Sequence, residues 1–163
     1  MKKILVPVLI AVIVIQLFVP VYRIINKYNI LKTGEEFKFK VSPVDPYDAF
    51  RGRYVSISSR QDVKGSGKYG LIIVDADGFA RVASISDEKP TLGVYVKNSE
   101  RYGFSLPISR YYMDEKLAPK AEKITQRGKQ EAYVTARVKN GTLVISGLYI
   151  NGTAIEDVIR SGL

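Results

Sequence analysis

The sequence predicts a mainly β protein, a compact antiparallel barrel or sandwich preceded by one N-terminal transmembrane helix. Three observations predict it. Residues 4–21, ILVPVLIAVIVIQLFVPV, run without a charge directly behind Lys2 and Lys3. After Tyr22 the apolar residues fall into short alternating runs parted by turn pairs such as Asp77-Gly78, Asn140-Gly141 and Asn151-Gly152, which is the patterning of strands and hairpins. Seven or eight such runs in about 140 residues suit one domain with its own core.

The leading run reaches roughly 27 Å at about 1.5 Å per helical residue, close to the roughly 30 Å of hydrocarbon in a bilayer. It ends Gln16-Leu17-Phe18-Val19-Pro20-Val21-Tyr22-Arg23, with bulky residues where a signal peptidase needs small ones. Residues 1–22 therefore read as a retained anchor rather than a cleaved signal. Pro7 and Pro20 fall in the first and last turns of the run, where lost backbone bonds are cheapest. The α-amine, Lys2 and Lys3 precede the run, and Arg23, Lys27 and Lys32 follow it. A three-residue head is the easier end to hold in the cytoplasm, so the expected topology has the N-terminus inside and the C-terminal domain outside.

Residues 23–34, with Ile24, Ile25, Tyr28, Ile30 and Leu31, read as a helical or stalk-like tether ended by Gly34. The β-rich extracytoplasmic domain is expected over residues 35–163. Glu35–Val41 alternates Phe37, Phe39 and Val41 against Glu36, Lys38 and Lys40, a half-buried strand. Strands follow at Tyr54–Ser58, Tyr69–Val74 and Phe79–Ile85, the last two joined by an Asp75–Gly78 turn. Leu92–Lys97 and Phe104–Tyr112 read as two more extended pieces. Met113–Gln126 is the one long non-strand interval, with Pro119 placed to open a short helix. Tyr133–Val138, Asn140-Gly141 and Leu143–Ile150 form the clearest hairpin, and Asn151-Gly152 turns into a short end segment.

Beyond residue 21 there are 23 basic and 16 acidic side chains. The domain carries about +7, enough to draw it toward an anionic membrane surface. There is no Cys and no His. That excludes Cys nucleophiles, Ser-His triads, thiolate or imidazole zinc sites and haem held by His, and no cofactor is expected. Catalysis would have to rest on carboxylates, Lys, Tyr or Ser.

The densest local chemistry is Val41 through Ile57, VSPVDPYDAFRGRYVSI. Pro43 and Pro46 fix φ, and Pro46 pushes Asp45 toward an extended conformation. Asp45 and Asp48 can accept bonds from backbone amides two residues on. Arg51 then comes within reach of either carboxylate, and Gly52 supplies backbone freedom just before Tyr54 opens the strand. A second dense stretch runs Tyr102-Gly103-Phe104 to Arg110-Tyr111-Tyr112-Met113-Asp114-Glu115, with Glu122 beyond.

On these residues the chain resembles the GDYXXLXY family, small bacterial proteins of unknown function with one N-terminal hydrophobic segment. Val44–Ile57 is similar to the family stretch V-D-P-R-D-x-F-R-G-D-Y-V-x-L-x-Y, with Phe50 and Arg51 matching its F-R. Tyr102–Glu115 is similar to the tyrosine-rich Y-G-I-E-x-Y-F-V-x-E segment. The strand near Tyr133 and the Gly147–Gly152 end fit as well. Arg53 stands where the name motif has Asp, and Ser59 where it ends in Tyr. A step that needed that Asp as acid or metal ligand is closed to this chain. Members look like companions of multispanning membrane proteins, so the resemblance implies an accessory role.

Asp45, Asp48 and Glu115 read as an acid–base or cation-binding cluster if the two stretches meet, or as carboxylates neutralised by Arg51, Arg53 and Arg110. A Ser-Lys pair from Ser56 or Ser58 with Lys64 or Lys68 is the enzyme alternative. Base stacking by Tyr102, Arg110, Tyr111 and Tyr112, with Arg101 nearby, does not suit a domain outside a membrane, so no nucleic-acid partner is expected. The expected function is a non-enzymatic accessory or interaction module for an integral membrane partner; the alternative is a membrane-tethered hydrolase. The expected partners are the lipid bilayer and a multispanning membrane protein. The candidate interaction residues are Asp45, Asp48, Phe50, Arg51, Gly52, Arg53, Tyr54, Tyr102, Arg110, Tyr111, Tyr112 and Glu115.

Overall fold

The structure, a computed structural model, describes residues 2–43, 54–59, 61, 65–99, 103–114, 116–117, 120–121, 124 and 131–161. It opens with one helix, α1 (Lys2–Thr33). From Val12 to Asn29 every side chain of α1 is exposed, and Ile30 is the first to be buried. The helix therefore stands free of the body until its last turn. It is long and apolar enough to cross a membrane. Pro20 lies well inside this helix rather than in its last turn, because the helix runs on past the apolar run. Lacking an N–H, Pro20 leaves the Gln16 carbonyl without its helical donor.

Gly34 joins α1 to the body with no linker. Its N–H donates to the Ile30 carbonyl at 2.8 Å, ending the helix. A Cβ there would meet that same carbonyl oxygen at 2.6 Å and the Arg137 Cβ at 3.1 Å. Glycine is what lets the helix end press this close to the sheet. Arg137 Nη1 donates to the Gly34 carbonyl at 3.2 Å, and Lys139 Nζ donates to Thr33 Oγ1 at 2.6 Å.

The body is built of β1 (Glu35–Pro43), β2 (Tyr54–Ser59), β3 (Tyr69–Val74), β4 (Ala80–Ser86), β5 (Val94–Lys97), β6 (Arg110–Tyr112), β7 (Ala132–Lys139), β8 (Thr142–Ile150) and β9 (Thr153–Ala154), closed by α2 (Ile155–Ser161). One sheet has the order β6-β2-β1-β7-β8-β9 and the other β4-β3-β5. All strand pairs are antiparallel. The expected mainly β, antiparallel class after one apolar helix is what the chain adopts.

Period-2 alternation explains the core. Phe37, Phe39 and Val41 of β1 turn inward with Val134, Ala136 and Val138 of β7. Phe39, Val41, Val96, Val134, Leu148 and Ile155 are the largest side chains fully removed from water. Asn140 (φ 52°) and Gly141 (φ 78°) give the β7–β8 hairpin its two left-handed turn residues.

Two short links curl the sheets around that core. Gln61 Nε2 donates to the Ala80 carbonyl at 2.7 Å, and the Val82 N–H donates to Gln61 Oε1 at 3.0 Å. One side-chain amide thus serves as a strand residue along the β4 edge. On the opposite side the Lys97 N–H donates to the Gly141 carbonyl at 2.8 Å, within a parallel bridge of Val96 to Gly141.

Two expectations change in detail. Phe104–Tyr112 is a strand only from Arg110. Phe104, Leu106 and Ile108 are buried alternately, so the inward pattern is real. However, Pro107 has no N–H, and the Ile108 N–H donates to the Leu106 carbonyl at 2.7 Å across it, a tight γ-type kink that breaks the ladder. The end segment contains α2, with Ile155 and Ile159 buried four residues apart, acids in its first turn and Arg160 in its last.

Register gives the body two ends. Glu35 pairs with Val138, so Gly34, the β7–β8 turn and Lys97 lie where α1 enters. Pro43 pairs with Ile57 and Ala132 with Ile150, so Tyr54, the β8–β9 turn and α2 lie at the other end. Nine residues of β1 separate them, about 30 Å at 3.3 Å per residue.

Candidate interaction site

The two dense sequence stretches meet at the far end. β2 and β6 pair with Tyr54 opposite Tyr112, Val55 opposite Tyr111 and Ser56 opposite Arg110. Alternation then sorts these side chains onto two faces. On the outer face the Tyr54 and Tyr112 rings lie 5.8 Å apart at 58°, and the Arg110 guanidinium sits 5.0 Å from the Tyr54 ring centre. Tyr112 is 66 % exposed. A tilted aromatic pair capped by a cation is a rigid, amphipathic surface of the kind that binds partners.

The inner face is structural. Val55 is buried, and Tyr111, half-buried, donates its hydroxyl to Glu156 Oε1 of α2 at 2.7 Å. Burial and then the Glu156 carboxylate push the Tyr111 phenol well above the usual tyrosine range. β6 is thus locked from behind while Arg110 and Tyr112 face water.

Of the twelve candidate residues, Tyr54, Arg110, Tyr111 and Tyr112 are brought together. Asp45, Asp48, Phe50, Arg51, Gly52, Arg53, Tyr102 and Glu115 lie outside the described residues, as do Lys64 and Glu122. Among the described residues no hydrogen bond joins Lys68 to Ser56 or Ser58; the Ser58 hydroxyl donates weakly to the Ser59 carbonyl at 3.5 Å.

Sequence reasoning missed two neighbouring features. A groove of about 630 Å³ runs beside β2, with Ser58, Ser59, Ser99, Ser105 and Ser109 on its walls and Phe104 and Leu106 among its apolar lining. Its signal was the alternation of Ser105 and Ser109 with Phe104, Leu106 and Ile108. The second is an aromatic stripe on the outer sheet face. Tyr133 and Tyr149 stack at 5.0 Å with 2° between planes, Phe79 meets Tyr133 edge-on at 5.5 Å, and Lys40 Nζ sits 4.6 Å from the Phe79 ring centre. Lys40 also pairs with Asp77 at 2.6 Å and holds that exposed carboxylate below its usual range, with the Phe79 N–H assisting. Only register, invisible before strand pairing is known, puts Tyr133 opposite Tyr149.

An antiparallel β body that starts directly from a long apolar helix, with its two tyrosine-bearing stretches hydrogen-bonded at one edge, defines the class. A family model described as GDYXXLXY protein matches residues 16–148, from within α1 into β8, and the chain belongs to that family. Comparison with curated proteins and with solved structures gives no match.

Proposed function

We propose that this GDYXXLXY protein is a membrane-anchored, non-enzymatic accessory module. It has its N-terminus in the cytoplasm and its β body outside, and it docks an integral membrane protein through the Tyr54–Arg110–Tyr112 edge. The observation that carries the reading is the pairing of Tyr54 with Tyr112 on an exposed sheet edge whose inner face is already committed to α2. Aromatic and arginine side chains supply most of the binding energy at protein interfaces. The edge also lies at the end of the body remote from α1, so the contact is with a part of the partner that projects well above the bilayer.

The test is site-specific photocrosslinking from Tyr112 in full-length protein in its own membranes. A crosslink to a multispanning protein, lost in Arg110→Glu while urea unfolding is unchanged, is the expected result. Crosslinks that form equally from Asp157 on α2, or survive Arg110→Glu, contradict the reading. A serine-directed covalent probe labelling one site stoichiometrically would instead place the chain among hydrolases.

A further inference from the structure

The near end of the body carries a cluster of lysines that no carboxylate neutralises. Lys27 and Lys32 lie on the last turns of α1, Lys139 reaches Thr33, and Lys97 sits against Gly141 of the β7–β8 turn. Lys68 follows one strand over, since Tyr69 pairs with Lys97 and the Asn98 N–H donates to the Lys68 carbonyl. Among the described residues none of these five lysines forms an ion pair. Lys68 and Lys97 wall an open groove of about 480 Å³ that also holds Asp87 and the Tyr69 side chain. Of the carboxylates on this end, Glu36 is taken by Arg137 at 2.9 Å, which leaves Glu35 and Asp87 against five lysines. Cations prevail.

We infer that this lysine-lined end docks on the anionic headgroups of the membrane that holds α1, fixing which side of the body faces the lipid. The inference rests on the anchor reading above. Its geometry comes from the linkerless junction. Every described side chain of α1 from Val12 to Asn29 is exposed and only Ile30 is buried, so the body begins where the helix ends and cannot swing freely about Gly34. From the last apolar residue of the run, Val21, to Thr33 the helix rises about 18 Å at 1.5 Å per residue. A headgroup layer of roughly 5–7 Å and a tilt of about 20° bring the β7–β8 turn to around 10 Å from the lipid surface. That is about one Debye length at physiological salt, inside the reach of juxtamembrane lysines toward acidic lipid. Among the described residues of the far end, Lys40 is paired with Asp77, Arg81 with Asp75 and Arg160 with Asp157, while Arg110 is held against the Tyr54 ring.

The absence of cysteine lets one donor fluorophore be placed at Thr142→Cys, an exposed position beside the turn. Full-length protein is reconstituted in nanodiscs of phosphatidylcholine alone, or with phosphatidylglycerol added, each carrying headgroup-linked acceptor. Energy transfer is expected to be about twofold higher in the anionic discs, and to fall to the neutral level in roughly 1 M salt, where the Debye length is about 3 Å. The pair Lys68→Gln and Lys97→Gln, at exposed side chains without hydrogen-bond partners among the described residues, is expected to remove most of the difference. Equal transfer in both discs, or a difference indifferent to salt and to the lysine variants, overturns the inference while leaving the anchor standing. Failure of the chain to enter discs at all overturns the anchor reading itself.

Discussion

The two ends of the β body are held differently. At the near end the helix is joined to the sheet closely and at several points: the Gly34 carbonyl accepts from the Arg137 side chain, Thr33 accepts from Lys139, and no residue larger than glycine fits at 34 without displacing the Ile30 carbonyl. At the far end the edge strand β6 has only three residues and depends on a side chain, Tyr111, reaching Glu156. The first arrangement fixes a direction, that of the helix axis relative to the sheet. The second leaves a short edge whose outer face stays available. A close mount at one end and an exposed aromatic edge at the other is the division of labour that the proposed docking role requires.

Substitutions separate the two ends, and the largest effect should strike both. Phe39→Ala empties the most buried aromatic position of β1, which pairs with β7 from Glu35 to Val41. It is expected to cost about 3–5 kcal/mol, with hydrogen-exchange protection lost together at Val138 of the near end and at Val55 of the far end. Loss at one end alone would show that the ends do not share a core. Gly34→Ala should cost about 2 kcal/mol through overpacking, measured in urea. Its added exchange should be confined to residues 30–36 and 137–142, with Tyr112 undisturbed.

Tyr111→Phe removes the bond to Glu156 and is expected to cost about 1 kcal/mol at neutral pH. Because the folded phenol titrates above its unfolded value of about 10, Tyr111 contributes full stability below that pH and loses it as pH rises further. The variant should therefore lose less stability than wild type on going to strongly alkaline solution. A parallel decline in both would remove Tyr111 from the account. Lys40→Ala gives the smallest effect: the Asp77 carboxyl, followed by NMR, should return upward toward its ordinary value with no measurable shift of the unfolding midpoint, since the pair is exposed.

The strands with strict alternation were legible from residue chemistry alone. Glu35–Val41, Tyr54–Ser58 and Tyr69–Val74 each fall within an observed strand, because one buried face enforces period 2. Asn140-Gly141 marked the hairpin for the reason that both residues take positive φ. Phe104–Ile108 misled, since its inward alternation is genuine while Pro107 denies it a ladder. The short helix α2 was hidden because two apolar residues four apart, Ile155 and Ile159, are too few to establish a period. Of the candidate site, Tyr54 and Tyr112 were visible as motif members. Their contact was not, for it depends on β6 adding to β2 rather than to a sequence neighbour. The serine-walled groove likewise forms only when residues 57–59 and 61 are brought beside residues 99 and 104–109.

The linkerless junction is what gives the two ends their meaning, and an electron–electron distance measures it directly. Spin labels at Arg23→Cys on the free part of α1 and Asp157→Cys on α2, in full-length protein in nanodiscs, should report one narrow distance distribution. A broad distribution would mean that the body pivots at Gly34, and that neither end has a fixed place relative to the helix.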